Sequence, residues 1–126
     1  MFYIAAAIGA LVSFVLGCLW YTILFGKQWQ KYMGYSDEEA KAIFAPKRIL
    51  SAVLCEWFAA ACLTGILFNL PMSPWIGAVM ASVFVIFTCA KQGIFDGKRP
   101  ALILINSGYL LLSVAIIATS VFLFLR

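Results

Sequence analysis

The chain has 126 residues, of which 65% are hydrophobic and 11% charged, with a formal net charge of +4. A soluble domain is about 45–50% apolar and about 25% charged, and one this small cannot hide so much apolar surface, so a water-soluble fold is excluded and lipid is the expected solvent. The basic residues sit in short segments between apolar runs with no base-stacking aromatics interleaved, which excludes nucleic acid as a partner and points to anionic lipid headgroups.

The first predicted element is a span over residues 2–25, uncharged throughout and ended by Lys27. About 20 apolar residues cross a hydrocarbon core. No basic segment precedes the run and it is too long for a signal-peptide core, so it reads as a retained helix. Ala5, Gly9, Ser13 and Gly17 recur every fourth position, which lays a stripe of small residues along one face. Such stripes let backbones approach closely in lipid. Packing against neighbouring helices is favoured here over dimerisation; Ala61 with Gly65 and Gly77 with Ala81 repeat the spacing.

The next segment is the one substantial piece outside the spans. Trp29, Tyr32, Met33 and Tyr35 form an aromatic cluster around Gly34, suited to lie at a membrane interface. Ser36-Asp37-Glu38-Glu39 is a capping box, so a short helix is expected to start there and stop at Pro46, with Asp37 and Lys41 able to pair.

Residues 49–70 form the second span, interrupted by Glu56. Pro71 and Pro74 bracket a tight turn into the third span, residues 75–95, which reaches crossing length only if it continues past Lys91 with the lysine stem snorkelling. Asp96-Gly97-Lys98-Arg99-Pro100 is a turn by composition, and residues 101–125 are the fourth span. Ile23-Leu24-Phe25-Gly26-Lys27 and Ile94-Phe95-Asp96-Gly97-Lys98 echo one another faintly. The expected architecture is an all-α membrane protein: one domain over residues 1–126, a four-transmembrane-helix bundle with a short interfacial helix in its first cytoplasmic loop.

Orientation follows from the basic residues. Lys27, Lys31, Lys41, Lys47, Arg48, Lys91, Lys98 and Arg99 share one side, and Arg126 stands alone on the other. Under the positive-inside rule both termini are expected outside the cytoplasm, in a plasma or inner membrane.

Counting ~1.5 Å of rise per residue from the span ends puts Cys18, Glu56, Cys89, Lys91 and Asn106 near one depth in the cytoplasmic half. A carboxylate inside a membrane helix needs a partner, and Lys91 is the expected one, with Asn106 as an added donor. Two readings of Glu56 follow: a buried ion pair that fixes helix register, or the protonatable site of a transporter. A nearby cation would hold the acid ionised, which favours the structural reading. Cys18, Cys55, Cys62 and Cys89 lie within spans and read as packing residues. The chain has no histidine, no nucleophile motif and no phosphate loop, so neither an enzyme nor a resident metal or cofactor is expected.

Gly17-Cys18-Leu19-Trp20-Tyr21 and Phe25-Gly26-Lys27-Gln28-Trp29 resemble a G-x-x-W-Y and F-G-K-x-W signature. Phe95-Asp96-Gly97-Lys98-Arg99-Pro100 and Ile105-Asn106-Ser107-Gly108-Tyr109 resemble a loop and an I-N-x-G-Y helix start. In this order they resemble the small bacterial and fungal multi-pass membrane proteins catalogued as domain of unknown function seventeen sixty-one, over the whole chain. Lys91 departs from that pattern, where a neutral polar residue is common. The resemblance implies a multi-pass membrane protein and no activity. It directs attention to Trp20, Tyr21, Lys27, Trp29, Asn106 and Tyr109. Asn106 and Tyr109 are three apart, hence on one face, and are expected to line a polar pocket under the first loop with Glu56, Lys91, Trp20 and Tyr21.

The functional expectation is a non-enzymatic membrane protein acting through association with itself, with lipid or with a larger complex, with a small-ligand pocket in its cytoplasmic half. The alternative is a minimal oligomeric proton-coupled transporter using Glu56.

Overall fold

A computed structural model of the chain describes residues 1–125. The described residues are helical throughout, with short connections. Helix α1 spans Phe2–Leu19 and runs into a single π-helical turn at Trp20–Leu24, closed by the Phe25 N–H donating to the Trp20 carbonyl at 2.9 Å. Helices α2 (Gly26–Met33) and α3 (Asp37–Ile43) are short. Helices α4 (Pro46–Asn69), α5 (Pro74–Phe95) and α6 (Pro100–Leu125) are long. With α1 and its π turn, these make four helices long and apolar enough to cross a membrane, which marks the chain as a membrane protein. Their outward faces are apolar, with Phe84, Phe87 and Leu104 among the exposed side chains.

Local chemistry sets the helix ends. Ser36 caps α3 by accepting from the Glu39 N–H at 3.2 Å, while Glu39 Oε2 accepts from the Ser36 N–H at 3.0 Å, as the capping box requires. Pro46 ends nothing by itself: it opens α4 three residues before the expected start, as the first helical residue, where its missing N–H has no helical partner to lose. Ser73 caps α5 with Pro74 following. Gly34 and Gly97 adopt φ of 75° and 71°, left-handed turns that close α2 and the α5–α6 connection. Gly26, the counterpart of Gly97 in the faint sequence echo, instead starts a helix with no positive φ, so the echo has no structural equivalent. The aromatic segment expected only as an interfacial cluster is helix α2. Asp37 accepts from Gln30 Nε2 at 2.8 Å, linking α2 to α3 in place of the expected pairing with Lys41.

Helix α6 is the hub: it packs along α5 on one side and α1 on the other, and also meets α4. Helix α4 packs mainly on α1 and makes few contacts with α5 despite the tight turn between them. The apolar core lies away from the basic loops. Leu67, Ala78, Val114, Ala118 and Val121 form one cluster, and Ala10, Ala60 and Ile117 another, with Leu63 against both.

The stripe on α1 is spent on this packing. Ala5, Gly9, Ser13 and Gly17 are all buried. The Ser120 hydroxyl donates to the Ala5 carbonyl at 2.6 Å, and a Cβ built on Gly9 would lie 3.4 Å from the Ile117 side chain and 3.6 Å from its Cα. Those distances are ordinary contact for a methyl and leave no room for more. Gly9→Ala is therefore expected to be tolerated in a thermal melt, its gain of about 1 kcal/mol in helix propensity offsetting slight crowding. Gly9→Leu is expected to cost about 1–3 kcal/mol by overpacking against backbone, read as a lower Tm.

Candidate functional site

The site is built where the π turn of α1 meets the first three turns of α6. Trp20 and Tyr21 are consecutive and both reach α6; a π turn holds more residues than an α turn, so consecutive side chains diverge less around the axis. The Trp20 indole N–H donates to the Ile105 carbonyl at 3.0 Å. The Tyr21 hydroxyl donates to Asn106 Oδ1 at 2.8 Å. Glycines on each helix make room for rings on the other. A Cβ on Gly17 would lie 2.8–2.9 Å from the Tyr109 hydroxyl and ring, and one on Gly108 would lie 2.8 Å from the Trp20 ring. The two helices thus exchange ring for glycine in both directions.

One turn deeper, α4 contributes Glu56. Its Oε2 is 3.2 Å from the Tyr109 hydroxyl and its Oε1 is 3.4 Å from the Ser113 hydroxyl. Both hydroxyls have a second neighbour on α1: Tyr109 lies 3.3 Å from the Ser13 carbonyl, and Ser113 lies 2.6 Å from the Ser13 hydroxyl. This cradle offers the acid hydroxyl partners in two states. When Glu56 is ionised, Tyr109 and Ser113 donate to it and Ser13 donates to Ser113. When it is protonated, Glu56 donates to Tyr109 and Tyr109 donates to the Ser13 carbonyl.

Lys91 takes no part. It is exposed on α5, which packs mainly on α6 and only lightly on α4, and the expected Glu56–Lys91 pair does not form. Depth alone suggested that pair; the helix arrangement separates it. The polar layer therefore draws on three helices rather than four. Cys18 and Cys89 are half-buried, and Cys55 and Cys62 are exposed; all four are free thiols. Asn106 and Tyr109 both meet Tyr21, the first by hydrogen bond and the second ring to ring at 5.6 Å, but only Tyr109 reaches Glu56.

The aromatic contacts continue outward. Tyr21 packs edge-on to Trp29 of α2 at 5.8 Å, and Trp29 to Tyr35 at 5.6 Å. Arg99, from the α5–α6 connection, stands over the Tyr32 ring at 5.9 Å. These contacts seat α2 over the end of the site. Between α1, the end of α3 and α4 opens a groove of about 270 Å³ lined by Phe14, Tyr21, Phe44, Ala52, Glu56 and Tyr109, among others, with the exposed Arg48 at its rim. A second cavity of about 260 Å³ lies past Glu56, against Ala10, Phe14, Val53 and Trp57. The walls of both are almost wholly apolar. Glu56 and Phe14 belong to both, so the acid stands midway along the α1–α4 seam.

The sequence profile of the family described as "Protein of unknown function (DUF1761)" matches residues 4–123. The chain belongs to that family. No curated protein and no solved structure matches the chain. In this DUF1761 protein the motifs that carried the resemblance are spatial partners: G-x-x-W-Y supplies Gly17, Trp20 and Tyr21, and I-N-x-G-Y supplies Ile105, Asn106, Gly108 and Tyr109. Trp20 and Tyr21 serve this junction rather than an interfacial belt. The cradle residues Ser13 and Ser113 were missed. Ser113 lies four residues after Tyr109 and so on its face, and Ser13 belongs to the small-residue stripe; projecting the polar residues onto the helix faces would have found both.

The junction predicts strong coupling. Gly17→Ala drives a methyl into a ring held by hydrogen bonds and is expected to cost about 1–3 kcal/mol. Tyr109→Ala should be costly alone, but the double variant should be more stable than the two single losses summed would allow, as thermal melts of all four proteins can check. Simple additivity would mean that ring and glycine do not compete for the same space.

Proposed function

We propose that this protein is a non-enzymatic membrane protein that works by association, holding a small amphiphile in the groove between α1, α3 and α4. The observation that carries this reading is the groove itself: apolar walls, an open side, and a single carboxylate on its wall. Ligand sites have this composition, largely apolar with a few placed polar groups. The eight basic residues expected on the cytoplasmic side, Lys27, Lys31, Lys41, Lys47, Arg48, Lys91, Lys98 and Arg99, are all exposed, which suits contact with anionic headgroups. Association with further copies or a larger complex belongs to the same reading.

Native mass spectrometry tests it. The wild-type protein released from detergent is expected to retain one amphiphile adduct, and Ala52→Phe, which fills the groove, to lose it. Equal adducts on both proteins would place the bound molecule elsewhere.

A second reading, a minimal oligomeric proton-coupled transporter, is favoured by one observation. Among the described residues Glu56 pairs with hydroxyls and not with Lys91, and those hydroxyls can partner it charged or neutral, so the argument from Lys91 against proton cycling no longer applies. Under this reading Glu56→Gln abolishes proton-linked substrate movement in reconstituted vesicles. Unchanged movement rejects Glu56 as the coupling group.

The proposed location is the plasma or inner membrane, with both termini on the non-cytoplasmic side, following the basic loops. A C-terminal alkaline phosphatase fusion in a bacterial host should then be active, and a C-terminal cytoplasmic-only fluorescent reporter dark. The reverse pattern inverts the orientation.

A further inference from the structure

We infer that the groove selects a small lipophilic organic cation, with its positive centre against the Glu56 carboxylate and its apolar body among the rings of Phe14, Tyr21, Phe44 and Tyr109. The inference rests on the reading of the groove as a ligand site and adds the class of ligand.

Charge is the first argument. Glu56 is the one acid within the four long helices: Asp37, Glu38 and Glu39 lie in α3, and Asp96 lies after α5. An ionised carboxylate has about four lone-pair sites, and only two hydroxyls approach it, at 3.2 and 3.4 Å. Each hydroxyl has one hydrogen and a competing neighbour on α1. The acid is half-buried and borders both cavities, so its remaining capacity is open to whatever lies in the seam. A carboxylate there is stabilised by a cation far more than it would be in water, because the apolar walls screen little.

The walls are the second argument. Four aromatic rings surround the groove, and ring faces attract cations, most strongly desolvated ones. Apart from Glu56 the walls offer few acceptors, so a primary ammonium would leave its N–H groups unpaired. A quaternary or otherwise weakly hydrated centre has no such groups to satisfy. The volume, about 270 Å³, admits a molecule of one ring and a small charged head, and the second cavity past Glu56 gives a longer body somewhere to extend.

Arg48 does not cancel this. It lies eight residues before Glu56 on α4, about 12 Å along the helix, and it is exposed at the rim. Headgroup phosphates are its natural counter-ions at that level.

The test compares three probes of matched shape on the full chain in zwitterionic nanodiscs: benzyltrimethylammonium, its neutral carbon isostere neopentylbenzene, and the phenylmethanesulfonate anion. Saturation-transfer NMR, with empty nanodiscs subtracted, reads binding. Benzyltrimethylammonium is expected to bind at least about tenfold more tightly than the isostere, a difference well within reach of one ion pair and ring contacts. Glu56→Gln should remove that preference while leaving the isostere unchanged, and Ala52→Phe should reduce both. Equal binding of cation and isostere, or a cation preference that survives in a folded Glu56→Gln protein, overturns the ligand class and leaves the groove standing. Preference for the sulfonate, lost in Arg48→Ala, also overturns the class and makes the rim the recognising group. Binding of none of the three defeats the groove reading as well. Should Glu56→Gln fail to fold, the wild-type ratio of cation to isostere decides alone.

Discussion

The fold depends on the antiparallel seam between α1 and α6. Ala5 meets Ser120, Gly9 meets Ile117, Ser13 meets Ser113, Gly17 meets Tyr109, and Tyr21 meets Asn106. Each step of four on α1 is answered by a step back of three or four on α6, which is the helical period read from both sides. In lipid there is no hydrophobic drive to bring two helices together, so contact must come from close backbone approach and from hydrogen bonds. The small residues of α1 supply the first. Hydroxyl and indole donors to helix carbonyls supply the second: Ser120 to Ala5 and Trp20 to Ile105. A helix carbonyl has a spare lone pair, so these bonds add to the helical ladder without breaking it.

The seam changes character along its length. Away from the basic loops it closes over a core of Val114, Ile117, Ala118 and Val121. Toward the loops it widens to admit Trp20, Tyr21 and Tyr109, and the π turn lies at this end. Both consecutive aromatics reach α6, and the π turn leads through Phe25 into α2. The glycines opposite the rings then follow. Gly17 and Gly108 are required by the volume of the rings that face them, since both belong to helices with ordinary backbone angles.

Much of this was legible in sequence, and the reasons are specific. The spans could be read because a membrane crossing needs an uninterrupted apolar length, and the α3 start because a capping box is local. Position along each helix was legible too, since rise per residue is fixed. Azimuth was not. Glu56 and Lys91 share a depth, and the Pro71–Pro74 turn made α4 and α5 appear to be neighbours, yet α5 leans on α6 and Lys91 points elsewhere. Which helix pairs with which is a property of the whole packing, set here by the α1 stripe taking α6 as its partner. The π turn left no signal because nothing in Trp20–Leu24 forbids a regular helix; tertiary contacts select it. Helix α2 was obscured because its aromatics read as well for an interfacial loop as for a helix.

The two seams of α1 explain where the acid stands. The α1–α6 seam is filled and clasped at every turn. The α1–α4 seam has cavities on either side of Glu56. A carboxylate would be far costlier on a lipid-facing surface with no donors, and it would be sealed off had it faced the tightly packed α1–α6 contact. On α4 it reaches past α1 to the hydroxyls of α6, so the clasped seam supplies its donors, while the looser seam keeps its other side accessible. Glu56 stands where hydroxyls from α6 meet the open α1–α4 groove, and the proposed ligand reading of that groove rests on this placement.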